Sequence, residues 1–371
     1  MKTVLVTGCN GFIGKHVIAT LSRMEQYELL KYGSEHTSEQ LEEMAIKADF
    51  IIHLAGCNRP QDPQQYTIGN KQLTEQLLHI LAKNGRRTPV LLASSIQATQ
   101  EHAYGISKKA AEDAVSAYSR DTGAKVYIYR LPNVFGKWCK PYYNSVVATF
   151  CYNIAHQMPI EMHDPSKLLT LVYVNDVVSE LVNAIEGCVT EAADGLCHVP
   201  KGYELTLGQL AEHLYRYHHG RRTLQLPNSG AEIDRVLYPT YLSYLDETDY
   251  SYELEMKHDH RGWLAEFIKS DQAGQLFISR TKPGITRGNH WHHTKVEKFL
   301  VIEGEAEIKF RSIHNSQVIS YHVTGERLCV LDIPPGYTHS ITNIGNTDCV
   351  TLFWANEIFD SNQPDTYYLE V

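Results

Sequence analysis

The sequence predicts two domains of different class: an α/β doubly wound parallel sheet over residues 1–245 and an all-β unit over residues 246–371. Three observations predict it. Apolar strands alternate with amphipathic helices in the first part of the chain. A glycine-rich turn joins the first strand to the first helix. After about Tyr250 the texture changes to short apolar segments punctuated by Gly and Pro.

Lys2–Thr7 reads as a short buried strand, and 14–24 as a helix with Ile13, Val17, Ile18 and Leu21 on one face. Strands are expected at 50–55, 90–94 and 126–130, with helices at 70–81 and 107–118 between them. Repeated strand–helix–strand units require a parallel sheet covered by helices on both faces. Further on, strands are expected at 274–280, 299–302, 306–310, 318–322, 327–331 and 349–354. Turns fall at Pro283-Gly284, Gly304, Gly325, Pro334-Pro335-Gly336 and Gly345. Such spacing means an antiparallel sandwich or barrel. The junction is expected near 240–255, where Tyr238-Pro239 and Asp246-Glu247-Thr248-Asp249 lie.

Composition narrows the function. The formal net charge of -9 offers no basic excess to neutralise a phosphate backbone, so nucleic acid is not an expected partner. No apolar run approaches the roughly 20 residues needed to cross a bilayer, and the start of the chain does not read as a secretory leader. The eight cysteines are scattered without a CxxC pair, which fits reduced thiols in a cytoplasmic protein.

Two constellations carry chemistry. The first is Thr7-Gly8-Cys9-Asn10-Gly11-Phe12-Ile13-Gly14, directly between a strand and a helix. Gly8 allows the tight turn, Gly11 lets a pyrophosphate approach the backbone, and Gly14 lets helix pack on strand. Helix N–H groups then face the anion. Further on, Tyr104-Gly105-Ile106-Ser107-Lys108 puts a phenol and an ammonium one helical turn apart. The cation is expected to lower the phenol pKa, fitting Tyr104 for general acid–base work. A hydroxyl from Ser94-Ser95, at the end of the preceding strand, would hold the substrate oxygen.

The second constellation is G(x)5HxH(x)4E(x)6G from Gly284 to Gly304, followed by PxGxxHxxxN from Pro334 to Asn343. His290 and His292 point the same way on a strand, Glu297 comes from the next strand, and His339 from a later one. Three imidazoles and a carboxylate suit Zn²⁺, and also Fe, Mn, Ni or Cu. Solvent-facing filler, a structural metal and a catalytic site are the competing readings.

The first 245 residues resemble the extended, nucleotide-sugar branch of the short-chain dehydrogenase/reductases, with a Rossmann-type sheet. Asp49-Phe50-Ile51-Ile52-His53-Leu54-Ala55-Gly56, Arg130-Leu131-Pro132-Asn133-Val134-Phe135-Gly136 and Leu171-Val172-Tyr173-Val174-Asn175-Asp176-Val177 match segments of that branch. The resemblance implies Ser95, Tyr104 and Lys108 as catalytic residues, with Ser94 as the alternative serine because Ile96-Gln97-Ala98-Thr99 departs from the family's turn. It places Ser94 and Asn133 near the sugar nucleotide, and Thr7, Gly8, Asn10, Gly11, Phe12, Ile13, Gly14, Leu54, Ala55, Tyr104 and Lys108 around the dinucleotide. At the end of the second strand, Glu28-Leu29-Leu30-Lys31-Tyr32 supplies no carboxylate for a ribose 2′-hydroxyl unless Glu35 folds back. Lys31 would suit a 2′-phosphate, which points to NADPH.

Residues 255–371 resemble the cupins, double-stranded β-helix (jelly-roll) domains, although Leu328 stands where those carry a glycine six residues before Pro334. Thr286-Arg287-Gly288-Asn289-His290 also resembles the RGxH segment of cupin-type deoxysugar epimerases, where the histidine is a general base. A metal-bound imidazole nitrogen cannot also take a proton, so His290 carries two incompatible assignments. With the full ligand set favouring metal, Lys298, His293 or Tyr337 would move the proton.

The order of the two halves resembles the CapF-type bifunctional enzymes of capsular polysaccharide and O-antigen synthesis. That resemblance implies a homodimer carrying zinc. It implies C3 epimerisation of UDP-2-acetamido-2,6-dideoxy-β-L-arabino-hexos-4-ulose, then NADPH-dependent reduction of the C4 ketone. The product would be UDP-2-acetamido-2,6-dideoxy-β-L-talose, a precursor of UDP-N-acetyl-L-fucosamine. The alternatives are a plain 4-ketoreductase with a structural or dimerising cupin, and a non-enzymatic NADP(H)/sugar sensor.

Overall fold

A computed structural model describes residues 1–58, 62 and 64–371. The chain forms two compact units, Met1–Leu214 with Pro239–Leu245, and Tyr215–Tyr238 with Asp246–Val371. The division is therefore not a single point near residue 245. Leu226 N–H donates to the Lys269 carbonyl and Lys269 N–H to the Leu224 carbonyl, both at 2.8 Å. This pairing ties residues 224–226 to a strand of the second unit.

The first unit is built from β1 (Lys2–Thr7), α1 (Phe12–Leu21), β2 (Tyr27–Tyr32), α2 (Ser38–Lys47), β3 (Phe50–His53), α3 (Gln64–Tyr66), a π-helical segment (Thr67–Gln72), α4 (Leu73–Lys83), β4 (Val90–Ser95), α5 (Ala103–Thr122) and β5 (Val126–Leu131). The five strands form a parallel sheet in the order β2-β1-β3-β4-β5. Both faces of β1 are buried. Val4 and Val6 pack on the α1 side, and Leu5 enters a second cluster with Leu41, Leu77, Leu81 and Val115. Fully burying such side chains contributes about 1.5–3 kcal/mol each. The strand order reverses between β1 and β3, so a crevice opens at their carboxyl ends.

A smaller three-stranded sheet follows: β6 (Asn133–Phe135), β7 (Leu168–Tyr173) and β8 (Tyr203–Thr206), with α6 (Val146–Ala155), α7 (Val174–Ile185), α8 (Leu207–Thr223) and α9 (Glu232–Leu242). The helix and strand expectations hold in kind. The glycine-loop helix starts two residues earlier than its periodicity suggested, and 70–81 sits inside a longer helical run broken by the π-helical segment.

The two sheets of the second unit are antiparallel. One sheet runs β16 (Val330–Ile333), β13 (Glu297–Glu303), β18 (Cys349–Ala355), β11 (Gly274–Thr281), β10 (Gly262–Ser270) and β9 (Met256–Asp259). The other runs β15 (Val318–Thr324), β14 (Glu305–Ser312), β17 (Tyr337–Asn343), β12 (Thr286–Trp291) and β19 (Tyr367–Tyr368). Phe299, Val301, Ala306, Ile308, Phe310, Ile341 and Phe353 fill the space between them. Among the described residues, no helix is long and apolar enough to cross a membrane.

Candidate active site and metal centre

The glycine loop is held by close packing. Gly8 has φ +69°, and a Cβ there would lie 2.7 Å from Ala55 N. A Cβ on Gly14 would lie 2.2 Å from the Gly8 carbonyl oxygen. Gly11 caps α1 without a side-chain hydrogen bond, and the first turn carries no acid. The helix therefore presents its free N–H groups and positive dipole end to the crevice, which fits a pyrophosphate.

Not every expected cofactor contact is made by a side chain. Thr7 is fully buried, and its Oγ1 pairs with His53 Nδ1 at 2.7 Å while accepting from Ala55 N–H. The Thr7 side chain thus braces the loop from behind. Phe12 and Ile13 pack against the core beneath. A cleft beside the loop is lined by Cys9, Asn10, Lys15, Ile18, Ala19, Lys31 and Trp138. Lys31 is on the wall of that cleft. Glu35 does fold back, and both its oxygens accept from Asn10 Nδ2 at 3.0 Å.

The dyad lies at the start of α5. His102 caps that helix through Nδ1, which accepts from Gly105 N–H at 3.0 Å. A Cβ on Gly105 would sit 2.3 Å from the Gln100 carbonyl oxygen, so the glycine lets α5 begin tight against the preceding turn. The adjacent serines diverge, as alternate strand residues must. Ser94 Oγ donates to Glu112 Oε1 at 2.6 Å, and Arg130 clamps the same carboxylate at 2.9 and 2.7 Å. The Ser95 hydroxyl is close enough to the Tyr104 phenol to pull its pKa down. Ser95 is therefore the catalytic candidate, and Ser94 belongs to a buried ion network rather than to the substrate pocket.

The expected coupling within the dyad is corrected. Burial pushes the Tyr104 phenol up, and the Ser95 hydroxyl pulls it part of the way back. Lys108 is anchored to the backbone of β4. Its ammonium donates to the Ala93 carbonyl at 2.7 Å, and burial lowers its pKa to about 8 against the pull of Glu112.

Asn70, in the π-helical segment, was not singled out by sequence. Its Oδ1 accepts from Cys57 N–H at 2.8 Å, and its Nδ2 donates to the Cys57 carbonyl and to Ser107 Oγ at 3.1 and 2.9 Å. Ser107 Oγ in turn donates to the Tyr104 carbonyl. Asn133, expected near the sugar, is exposed on β6.

In the second unit the four expected ligands converge. Donor atoms of His290, His292, Glu297 and His339 all lie within 4.8 Å of one another. β12 and β17 pair His290 directly with His339, after a bulge at Gly288 and Asn289, which have φ +93° and +58°. Glu297 opens β13 on the opposite sheet and brings Oε2 to 3.2 Å from His292 Nε2 and 3.1 Å from His339 Nε2.

Those two imidazole nitrogens are buried and make no hydrogen bond. Buried polar atoms without partners are costly, and a cation would satisfy both lone pairs at once. The donor set fits a divalent metal. Electrostatics agree. Burial opposes ionisation of Glu297, yet His292 and His339 hold its carboxyl well below the usual range. Burial and the neighbouring His339 lower His290 to about 4, leaving it neutral and able to coordinate.

Lys298 does not join this cluster. Strand alternation turns it to the outer face, where it pairs with Asp332 and lies 6.0 Å over the Trp354 ring. Its assignment as the proton carrier is corrected. His293 is exposed. Tyr337 shares the His339 side of β17 and packs on Phe310 at 6.1 Å, so it is the candidate on the ligand face.

Comparison with known proteins follows the same division. Residues 4–194 match the model of the NAD dependent epimerase/dehydratase family, and 257–367 match the polysaccharide biosynthesis C-terminal domain. The UDP-2-acetamido-2,6-beta-L-arabino-hexul-4-ose reductase of Pseudomonas aeruginosa is 44% identical over 368 residues, covering 99% of this chain and 98% of that protein. The crystal structure of the capsular polysaccharide assembling protein CapF from Staphylococcus aureus superposes with a TM-score of 0.93 at 48% identity, covering 99% of this chain and 100% of that one. A UDP-glucose 4-epimerase from Thermotoga maritima, at 20% identity and a TM-score of 0.56 over 65% of this chain and 98% of that one, shares the fold of the first unit. The chain belongs to the NAD dependent epimerase/dehydratase family and, along its whole length, to the two-domain CapF proteins.

Proposed function

We propose that the chain is a two-step nucleotide-sugar enzyme. The β unit inverts C3 of UDP-2-acetamido-2,6-dideoxy-β-L-arabino-hexos-4-ulose. The α/β unit reduces the C4 ketone, giving UDP-2-acetamido-2,6-dideoxy-β-L-talose, which feeds capsule or O-antigen synthesis. The reductase named in the P. aeruginosa relative supports the second step. We also read it as a cytoplasmic homodimer, on the family resemblance.

A nicotinamide cofactor, read as NADPH, supplies the hydride when bound, and a divalent metal such as Zn²⁺ supplies Lewis acidity at the ketone oxygen. The protein's own groups do the rest. Ser95 holds the C4 oxygen by a hydrogen bond, and Tyr104 delivers the proton that converts it to a hydroxyl. Lys108, buried beneath, supplies positive charge where negative charge develops. In the β unit the ketone acidifies the hydrogen on C3. A group on the ligand face, for which Tyr337 is the candidate, moves that proton. Reduction removes the ketone and fixes the new configuration.

One observation carries this reading: a single chain holds both the Ser95/Tyr104/Lys108 arrangement and a metal-type cluster of four convergent ligands. Incubating the keto sugar in D₂O without NADPH tests it. Solvent deuterium at C3 is the expected result. Reduction without any exchange would leave a plain reductase with a structural metal.

A further inference from the structure

The loop that carries His292 is fastened by residues 364–371. Both oxygens of the Asp365 carboxylate are engaged. Oδ1 accepts from His293 N–H at 2.9 Å, and Oδ2 accepts from the Thr294 and Lys295 N–H groups at 2.9 Å and from Thr294 Oγ1 at 3.0 Å. Three successive N–H groups turned to one carboxylate form an anion-binding nest, filled here from within the chain.

The same residue also reaches the imidazole. His292 Nδ1 lies 2.6 Å from the Asp365 carbonyl oxygen. A carbonyl only accepts, so Nδ1 carries the hydrogen and Nε2 keeps its lone pair for the cluster. Asp365 adopts φ +39°, a backbone conformation that L residues rarely take, so the carbonyl is aimed at a cost.

Neighbouring contacts seat the segment. Lys295 Nζ donates to the Pro364 carbonyl at 2.9 Å, Leu369 N–H donates to the Asn289 carbonyl at 2.9 Å, and Tyr367 stacks on Trp291 with ring centres 4.8 Å apart. Thr338, next to His339, donates to the Leu369 carbonyl.

We propose that Asp365 is the positioning residue of the metal centre: its side chain fixes the loop 293–295, and its carbonyl fixes the tautomer and angle of His292. This rests on the metal reading above and extends it to a residue that touches no metal. Partners of this kind are typically worth 10–100-fold in metal affinity.

The test uses the full chain as wild type, Asp365→Ala, Asp365→Asn and His292→Ala. Zn²⁺ affinity is measured by competition with a chromogenic chelator, and imidazole tautomers by nitrogen-15 NMR of the metal-free protein. Wild type should bind one Zn²⁺ per chain with His292 protonated on Nδ1. Asp365→Ala should bind about 10–100-fold more weakly and lose the single tautomer, while far-UV circular dichroism stays unchanged. Asp365→Asn keeps the shape and one acceptor, so it should fall between the two. It also supplies the comparison if Asp365→Ala does not fold. Wild-type affinity together with an unchanged tautomer in the folded variants would overturn the proposal. If wild type itself takes up no Zn²⁺ while His292 still loses its tautomer in Asp365→Ala, the metal reading fails and the positioning role stands.

Discussion

Glu297 and His339 meet across the two sheets of the β unit, carboxylate oxygen to Nε2 at 3.1 Å, with no hydrogen bond between them. A buried carboxylate and imidazole this close, with Nε2 left without a hydrogen bond, suit a shared cation. Glu297→Gln and His339→Ala should each reduce Zn²⁺ affinity by more than the roughly 10–100-fold expected for residues outside the ligand set. Metal content after dialysis checks this, and full retention would remove both from the ligand set.

The two serines of β4 should separate cleanly. Ser95→Ala should lower kcat for ketone reduction by roughly 10²-fold or more while leaving the melting temperature near wild type. Ser94→Ala should leave kcat nearly unchanged and destabilise by about 1–3 kcal/mol, because Glu112 loses one of its buried donors. Steady-state kinetics and urea unfolding of the two variants, measured side by side, decide it.

Acid should weaken the α/β unit through His53. This imidazole is fully buried between Thr7 and Thr74, and burial, with the Lys108 cation, lowers its pKa to about 3. The folded state then binds fewer protons than the unfolded state between pH 6.5 and 3. The contribution of His53 is complete above pH 6.5 and is lost as pH falls through that window, by a total of the order of 5 kcal/mol. Urea midpoints at pH 7 and pH 5 should show the decline, and His53→Gln should flatten it.

Cofactor choice should turn on two residues of opposite charge. Lys31→Glu should shift preference toward NADH, since the cation facing the cleft is replaced by an anion. Glu35→Gln should shift it the other way by freeing Asn10 from a carboxylate. Fluorescence titration with both nucleotides reads the ratio. An unchanged ratio in Lys31→Glu would place the specificity elsewhere.

Much of this was legible in the residues. Period-2 and helical spacing placed β1, β4 and α5, and motif spacing picked out the four residues that converge in the β unit, because alternation on a strand fixes which side chains share a face. The same rule would have excluded Lys298, one residue past the inward-facing Glu297. Glu112 also had a signal, one helical turn beyond Lys108 on α5. Asp365 and Asn70 had none. Their work is done through backbone groups remote in sequence, and such contacts leave no periodic trace. The charge on Lys108 was visible, but its docking on the Ala93 carbonyl depended on burial depth, which only the folded chain reveals.

Asn70 is a rivet. One amide grips both backbone groups of Cys57 and the hydroxyl of Ser107, so the stretch leaving β3 and the first turns of α5 cannot part independently. Opening of the crevice along that seam is then expected to be cooperative. Amide protons on its two banks should exchange with solvent at matched rates, and clipping the amide to alanine should release both banks together.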